Sequence, residues 1–515
     1  MVYTNLLKKS VIFAFIKKSV IFAAENTFTN HFYFKRNEQM IAINETNFPD
    51  KNFRSWLLAQ DYGKDGVLTE KAIKGVTEID VSQKDISSLD GIEHFTALTE
   101  LGCYNNKLTT INVSGCTALT RLDCSYNELT TLDVSGCTAL TELDCSQNKL
   151  TNLDLSGCTA LALLFCSDNE LTTLGVSGCT ALTILGCVNT GLTTLDASGC
   201  TALTELDCYD NKLTSLNVSG CTALTRLDCS YNELTSLNVS GCTALTGLDC
   251  SGNKLTNLDV SGHTALTTLD CDCNKLTSLN VSGCTALTIL DCSENELTTL
   301  DVSRCTALTK LSCSQNELAD LNVSGYTALT GLYCSENELT TLDISRCTAL
   351  TKLSCSQNEL ADLNVSGCTA LTILDCSENE LTTLDLSGCT ALTTLDCSDN
   401  QLTTLNLSGC MALTKLNCEI NKLTNLDVSR CTALTGLYCY CNQLKEAAMN
   451  RLIEGLPQTG KEGDLYVYSG RQAYEKNVCT KAQVTAARAK GWEVLVTYDI
   501  MDKEWEEYEG CDEES

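Results

Sequence analysis

Residues 143–163 read LDCSQNKLTNLDLSGCTALAL, and residues 227–247 read LDCSYNELTSLNVSGCTALTG. Both are one copy of a unit of 21 residues that runs from Leu101 to Leu444 without an insertion or deletion. Its first cysteine recurs seventeen times, from Cys103 to Cys439, in steps of 21. An asparagine follows three residues later from Asn106 to Asn442, interrupted only by Thr190. A period held this strictly predicts a solenoid, because each coil must stack in register on its neighbour. Apolar residues alternate with Asp, Asn and Thr in both halves of the unit, which is the pattern of half-buried strands. Strands that run one way and repeat every coil must form parallel ladders. Two arrangements satisfy the pattern: two parallel sheets back to back, or one sheet with an extended return.

Outside the array the pattern changes. All three tryptophans (Trp56, Trp492, Trp505) and both prolines (Pro49, Pro457) lie beyond it. Residues 1–40 carry two short apolar runs, each after a lysine pair (Lys8 and Lys9, Lys17 and Lys18). They are too short and too charged to span a bilayer, so no transmembrane span is expected. Three readings stand: a degenerate signal peptide ending near Ala24, a surface anchor, or leader sequence ahead of a true start at Met40. Residues 41–78 predict a helical cap, with Phe53, Trp56 and Leu57 on one face. The stretch DYGKDGVLTEKA places Asp61, Asp65 and Gly66 at three positions of a calcium loop. Gly63 and Ala72 stand where further ligands are needed, which favours a tight glycine turn over a metal site. Residues 79–444 form the array. Residues 445–515 predict a helix, a strand, a helix closed by Gly491 and another strand, then an acidic tail. Such a β-α-β cap would hide the open edge of the last coil.

The leucine-type positions Ile79, Val81, Ile86, Leu89, Ile92 and Leu98 resemble the common leucine-rich repeat, L-x-x-L-x-L-x-x-N-x-L. The array after them resembles a bacterial leucine-rich class with a nested 21-residue unit, over about seventy per cent of the chain. The resemblance implies a repeat solenoid with a parallel β-sheet, and a recurrent asparagine that turns inward to bond the backbone of the next coil. The C-terminal segment looks like that of secreted or surface bacterial leucine-rich proteins. Function is less specified, since one fold serves many partners.

Of the 35 cysteines, 31 fall in two columns, Cys103 to Cys439 and Cys116 to Cys431, with His263 and Tyr326 filling two slots of the second. Both columns point inward. Stacked Cβ atoms about 4.8 Å apart suit buried thiols better than disulfides, which prefer about 3.8 Å. Cys271/Cys273 and Cys439/Cys441 are the close pairs, short of the four ligands that zinc needs. No cofactor motif is present: neither a phosphate loop, a dinucleotide fingerprint nor H-E-x-x-H occurs. The three histidines have no cysteine partner suited to nucleophilic catalysis, so a non-enzymatic chain is expected. The net charge of −30 argues against nucleic acid.

Two columns on the outer side of the array are candidates for recognition. The residue before the ladder leucine varies widely and supplies Arg121, Glu142, Arg226, Lys310 and Lys352. The residue after that leucine is aspartate in nine coils, including Asp207, Asp228, Asp249, Asp270 and Asp291. The strip reads either as drift at solvated sites or as a surface that discriminates partners. The aspartates read as a cationic-ligand track or as caps on local backbone N–H groups. The expectation is a monomeric binding module for a protein or glycan, secreted or on the cell surface, and cytoplasmic if Met40 is the start. The alternative is a structural or adhesive rod with no discrete patch.

Overall fold

The computed structural model describes residues 40–460, 463–470, 475–499 and 504–512. The three readings of residues 1–39 lie outside the described residues. The chain divides into two compact units, Met1–Lys149 and Leu150–Ser515.

In the first unit a strand at Met40–Ala42 pairs antiparallel with Val67–Thr69. Three-residue strands leave no periodicity to detect, and the sequence reading had none here. Between them lies α1, Lys51–Ala59, which buries Phe53 and Leu57 and leaves Trp56 half-buried. Asp50 caps it, accepting the Asn52 and Phe53 N–H groups through Oδ1. Its Oδ2 accepts Ser87 N–H and O–H at 2.9 and 2.8 Å, which fastens the cap to the array. A short helix, α2, follows at Glu70–Gly75. Strands Glu78–Asp80, Glu100–Gly102, Arg121–Asp123 and Glu142–Asp144 then form one parallel ladder.

The second unit continues the same design with fourteen more array strands, from Leu163–Phe165 to Gly436–Tyr438, paired leucine to leucine. The one-sheet or two-sheet question resolves in favour of one continuous ladder per unit. The return half pairs only locally in the second unit, as Thr194–Asp196 with Ser215–Asn217, Asn257–Asp259 with Ser278–Asn280, and Thr383–Asp385 with Thr404–Asn406.

Each coil closes on an apolar interior. In residues 227–247 the buried set is Leu227, Cys229, Leu234, Val239, Cys242 and Leu245. The asparagine rung holds coil to coil. Asn295 Nδ2 donates to Cys271 O, Cys292 O and Ser293 O at 3.0–3.1 Å, while its Oδ1 accepts Leu276 N–H at 2.9 Å. Its partners belong to its own coil and the preceding one, not to the next coil as the resemblance implied. Thr190 makes a poorer rung: its hydroxyl lies 3.2 Å from Cys187 O and 2.8 Å from Asn211 Oδ1. Two residues past every ladder cysteine the backbone turns left-handed, with φ between 47° and 61° in all seventeen coils. Only one of these residues, Gly252, is glycine.

All 35 cysteines are free. Eight of the first column donate toward the following coil, as Cys271 Sγ to Asp291 O at 3.3 Å. Most of the second donate toward the preceding one, as Cys284 Sγ to Val260 O at 3.2 Å. Burial pushes the Cys284 thiol up to about 12, with the neighbouring Cys305 and Asp259 adding to it. His263 keeps the slot by approaching Val260 O and Val239 O through its two ring nitrogens, each at 3.1 Å.

The C-terminal cap comprises α3 (Glu446–Gly455), strand Gly463–Ser469, α4 (Lys481–Ala489) and strand Trp492–Asp499. The first of these strands extends the ladder from Gly436–Tyr438, and the second pairs parallel to the first. Asn477 supplies a further rung, accepting Leu444 N–H and donating to Cys439 O, both at 2.9 Å. It stands 35 residues after Asn442, off the period, and the sequence reading missed it. The acidic tail, for which the sequence pattern gave no strand, contains one. Glu504–Glu507 forms an antiparallel strand on Trp492–Asp499, because that strand's outer edge still offers unpaired backbone groups.

Asn295→Ala should lower unfolding free energy by about 3 kcal/mol, since it orphans buried donors and acceptors; urea titration checks it. Thiol titration of the native protein should react at Cys511, which is exposed, and slowly at half-buried Cys273. At least about 28 thiols should appear after denaturation without reductant, as the spacing of the columns requires.

Candidate functional site

A strand of three residues whose middle leucine is buried places its first and third residues on the open side of the ladder. Within each unit both candidate columns therefore lie on one face, two residues apart along each strand. In the second unit they meet at a groove of about 430 Å³ that crosses four adjacent strands, Glu205–Asp207, Arg226–Asp228, Gly247–Asp249 and Thr268–Asp270. The aspartates Asp207, Asp228, Asp249 and Asp270 are in register along it. Asp291 continues the column one strand further. Arg226 stands at the groove, where Nη1 pairs with Glu205 at 3.1 Å. A Cβ placed on Gly247 would meet nothing within 4 Å. Neither packing nor backbone conformation demands glycine there, and its missing side chain opens the face.

Of the two roles that the sequence allowed, the hydrogen bonds show the capping one. Asp228 Oδ1 accepts the N–H and hydroxyl of Ser230, at 3.1 and 2.6 Å. Asp249 does the same for Ser251, and Asp291 for Ser293. Among the described residues, Oδ2 of Asp228 and of Asp249 has no hydrogen-bond partner. One oxygen thus caps the turn and the other is left to the groove. The environment is costly for charge. Burial raises Asp207, Asp249 and Asp270 above the ordinary carboxylate range, and Asp270 is pushed up to about 7, with Asp249, Asp272 and Asp291 adding repulsion. The return column contrasts: its exposed Asp259, Asp301 and Asp343 are lowered by hydrogen bonds from Ser261, Ser303 and Ser345.

The remaining strip residues are placed as follows. In the first unit Arg121 pairs with Glu142 at 3.2 Å. In the second, Lys310 lies 3.7 Å from Asp291. Lys352 has no ion pair among the described residues. Exposed ion pairs of this kind contribute about 0–1 kcal/mol and exchange readily with a partner's charges. Asp61 and Asp65 sit apart in the cap's glycine turn, where Asp61 approaches Lys64 at 3.6 Å. Among the described residues no group of three or more His, Cys, Asp or Glu is arranged to hold a metal ion. Tyr209 and Tyr231, both exposed, follow the groove's Asp207 and Asp228 in their coils, and the sequence reading missed them. Tyr333 was also missed, although its G-L-Y setting recurs at 436–438.

Paired leucines, inward asparagines and two cysteine columns together leave one family to compare with. The family model for leucine-rich repeats (two copies) matches residues 117–157 and 369–409. The functional domain of InlJ from Listeria monocytogenes, which includes a cysteine ladder, is 36% identical over 73% of this chain and 79% of that one, with a TM-score of 0.58. The chain belongs to the leucine-rich repeat family. YopM from Yersinia enterocolitica is 25% identical over 72% of this chain and 88% of that one, at a TM-score of 0.54. The Leptospira interrogans leucine-rich repeat protein LIC12759 shares the fold at 23% identity, covering 75% and 95%, with a TM-score of 0.53. No curated protein matches the chain. This leucine-rich repeat protein is thus of the bacterial type with 21-residue coils, and the fold it shares is that of an interaction module. Among its described residues no helix is long and apolar enough to cross a membrane.

The raised carboxyl of Asp270 makes stability depend on pH. Its folded value of about 7 exceeds the 3.8 of an ordinary aspartate, so between these the folded state binds the extra proton. The stability it contributes is present in acid and is lost as pH rises through 7. Asp270→Asn should melt higher than the parent at pH 8, by about 2 °C, with the gap closing toward pH 5. A constant gap across that range, measured by circular dichroism, would count against the assignment.

Proposed function

We propose that this protein is a non-enzymatic binding module, secreted or displayed at the bacterial surface, whose groove over residues 205–270 receives a cationic segment of another protein. The observation that carries this is the groove itself. Four in-register aspartates line it, one from each strand, and Gly247 opens the space above them. Rigid strands hold these carboxylates in place, so docking costs them little entropy. Half-buried carboxylates that repel one another gain from an incoming cation, which relieves the repulsion and draws them back toward full ionisation. Arg226 and Glu205 at the groove's edge form an exchangeable pair that penalises a partner of the wrong charge order. The location is supported by likeness to the Listeria InlJ domain and to an internalin from the same species, InlF.

The test uses a lysine decapeptide as probe. The triple variant Asp228→Asn, Asp249→Asn, Asp270→Asn should weaken its binding at least about tenfold, or about 1.4 kcal/mol. A charge-matched control, Asp259→Asn, Asp301→Asn, Asp343→Asn in the return column, should leave it within about twofold, since those residues are exposed on another face. Gly247→Leu, which fills the groove and removes no charge, should weaken binding as the triple variant does. Equal loss in the control would reduce the attraction to net charge and overturn the groove.

A further inference from the structure

Beyond the groove, the same ladder changes character for three strands. Lys310–Ser312, Gly331–Tyr333 and Lys352–Ser354 carry no carboxylate in either outer column. Asp291 precedes this window, and Asp375 and Asp396 follow it. In a chain of net charge −30, these three strands offer two amines, two serine hydroxyls and a phenol.

The middle strand is built unusually. A Cβ on Gly331 would lie 3.2 Å from Tyr333 Cε2 and 3.6 Å from the Tyr333 hydroxyl. The tyrosine ring therefore folds back across its own strand and covers Gly331, which is buried. The hydroxyl comes to rest in the column before the leucine. In that column Lys310, Gly331 and Lys352 are direct partners in the parallel register. The result is an amine, a hydroxyl and an amine in a row, at steps of about 4.8 Å. Lys310 Nζ sits 5.6 Å from the ring centroid, and the ring holds the ammonium over the window. Among the described residues neither the Tyr333 hydroxyl nor Lys352 Nζ has a hydrogen-bond or ion-pair partner. The copy of this arrangement at Lys415, Gly436 and Tyr438 is spoken for: Tyr438 stacks on Tyr466 of the cap at 4.1 Å and is hydrogen-bonded to it.

We propose that Lys310, Tyr333 and Lys352 form a second recognition site, for carboxylate side chains of the same polypeptide whose basic segment lies in the acidic groove. Charge order selects the occupant. A polyanion such as nucleic acid or a sulfated glycan would meet aspartates on both sides of the window, and a uniformly basic peptide would meet two amines inside it. A polypeptide with a basic stretch followed or preceded by an acidic one matches the whole face. Four strand spacings separate Asp249 from Tyr333, roughly 19 Å, which about six residues of extended chain span. The inference rests on the groove reading for its claim that one polypeptide fills both sites.

Three peptides test it by calorimetry: lysines joined by a six-residue Gly-Ser spacer to glutamates, lysines with the spacer alone, and the spacer with glutamates alone. The joined peptide should bind at least about tenfold tighter than the lysine peptide. Lys310→Gln with Lys352→Gln should remove that gain and leave the lysine peptide as tight or tighter. Tyr333→Phe, which keeps the ring and loses the hydroxyl, should remove part of it. Unchanged circular dichroism and melting show that these changes leave the fold intact. Equal affinity of joined and lysine peptides, or a gain that survives the double Gln variant, overturns the second site. Failure of the lysine peptide together with glutamate binding that depends on Lys310 and Lys352 instead overturns the groove and leaves this site standing.

Discussion

Buried backbone groups that have no partner within their own coil are the constraint on which this solenoid rests. A coil of 21 residues holds a strand of three, and the turns around it expose N–H and C=O groups to an apolar interior. The asparagine side chain meets that need with two donors and an acceptor in one planar group. Asn127, for example, joins Cys103 O, Cys124 O and Ser125 O to the Leu108 N–H. No other uncharged side chain of that size except glutamine, which is a methylene longer, offers the same set. Thr190, with a single hydroxyl, leans on Asn211 of the following coil instead.

That rung also fixes the register, and the register makes the recognition face. Because leucine pairs with leucine on every strand, the residues on either side of it fall into straight columns. A column multiplies whatever chemistry the unit carries. Repetition of aspartate yields a half-buried acidic track with its own electrostatic strain, and three strands that depart from it yield a window of the opposite character. The caps serve the same register. Asp50 ties α1 to Ser87 at one end, and Asn477 with Glu475 completes the last coil at the other, where Glu475 accepts Cys441, Ser469 and Asn477 N–H.

The cysteine columns show how composition misleads until positions are assigned. So many cysteines suggest a cross-linked scaffold, whereas their regular inward placement makes them small apolar fillers. The thiols still matter to hydrogen bonding, since each column reaches carbonyls of an adjacent coil. The filler can be replaced by groups that keep this bond: His263 reaches two carbonyls, and Tyr326 reaches Val302 O.

The sequence by itself determined the period, the parallel ladder, the inward leucines and cysteines, and the outward columns that hold Arg226, Lys310 and Asp207 to Asp291. These follow from local alternation and strict spacing, which survive in one dimension. It also carried the helices and strands of the C-terminal cap. Tertiary structure alone decided the rest. The left-handed residue in every coil is Tyr231, Gln315, Glu378 or Ile420 as readily as glycine, because hydrogen bonds between coils, such as Tyr231 N–H to Ser251 O, impose that conformation on whatever residue stands there. The Asn477 rung, the folding of Tyr333 over Gly331, and the meeting of Gly247 with four aspartates all depend on which residues become neighbours across coils. Spacing predicts that such neighbours exist, but the space left between their side chains is set only when the coils pack.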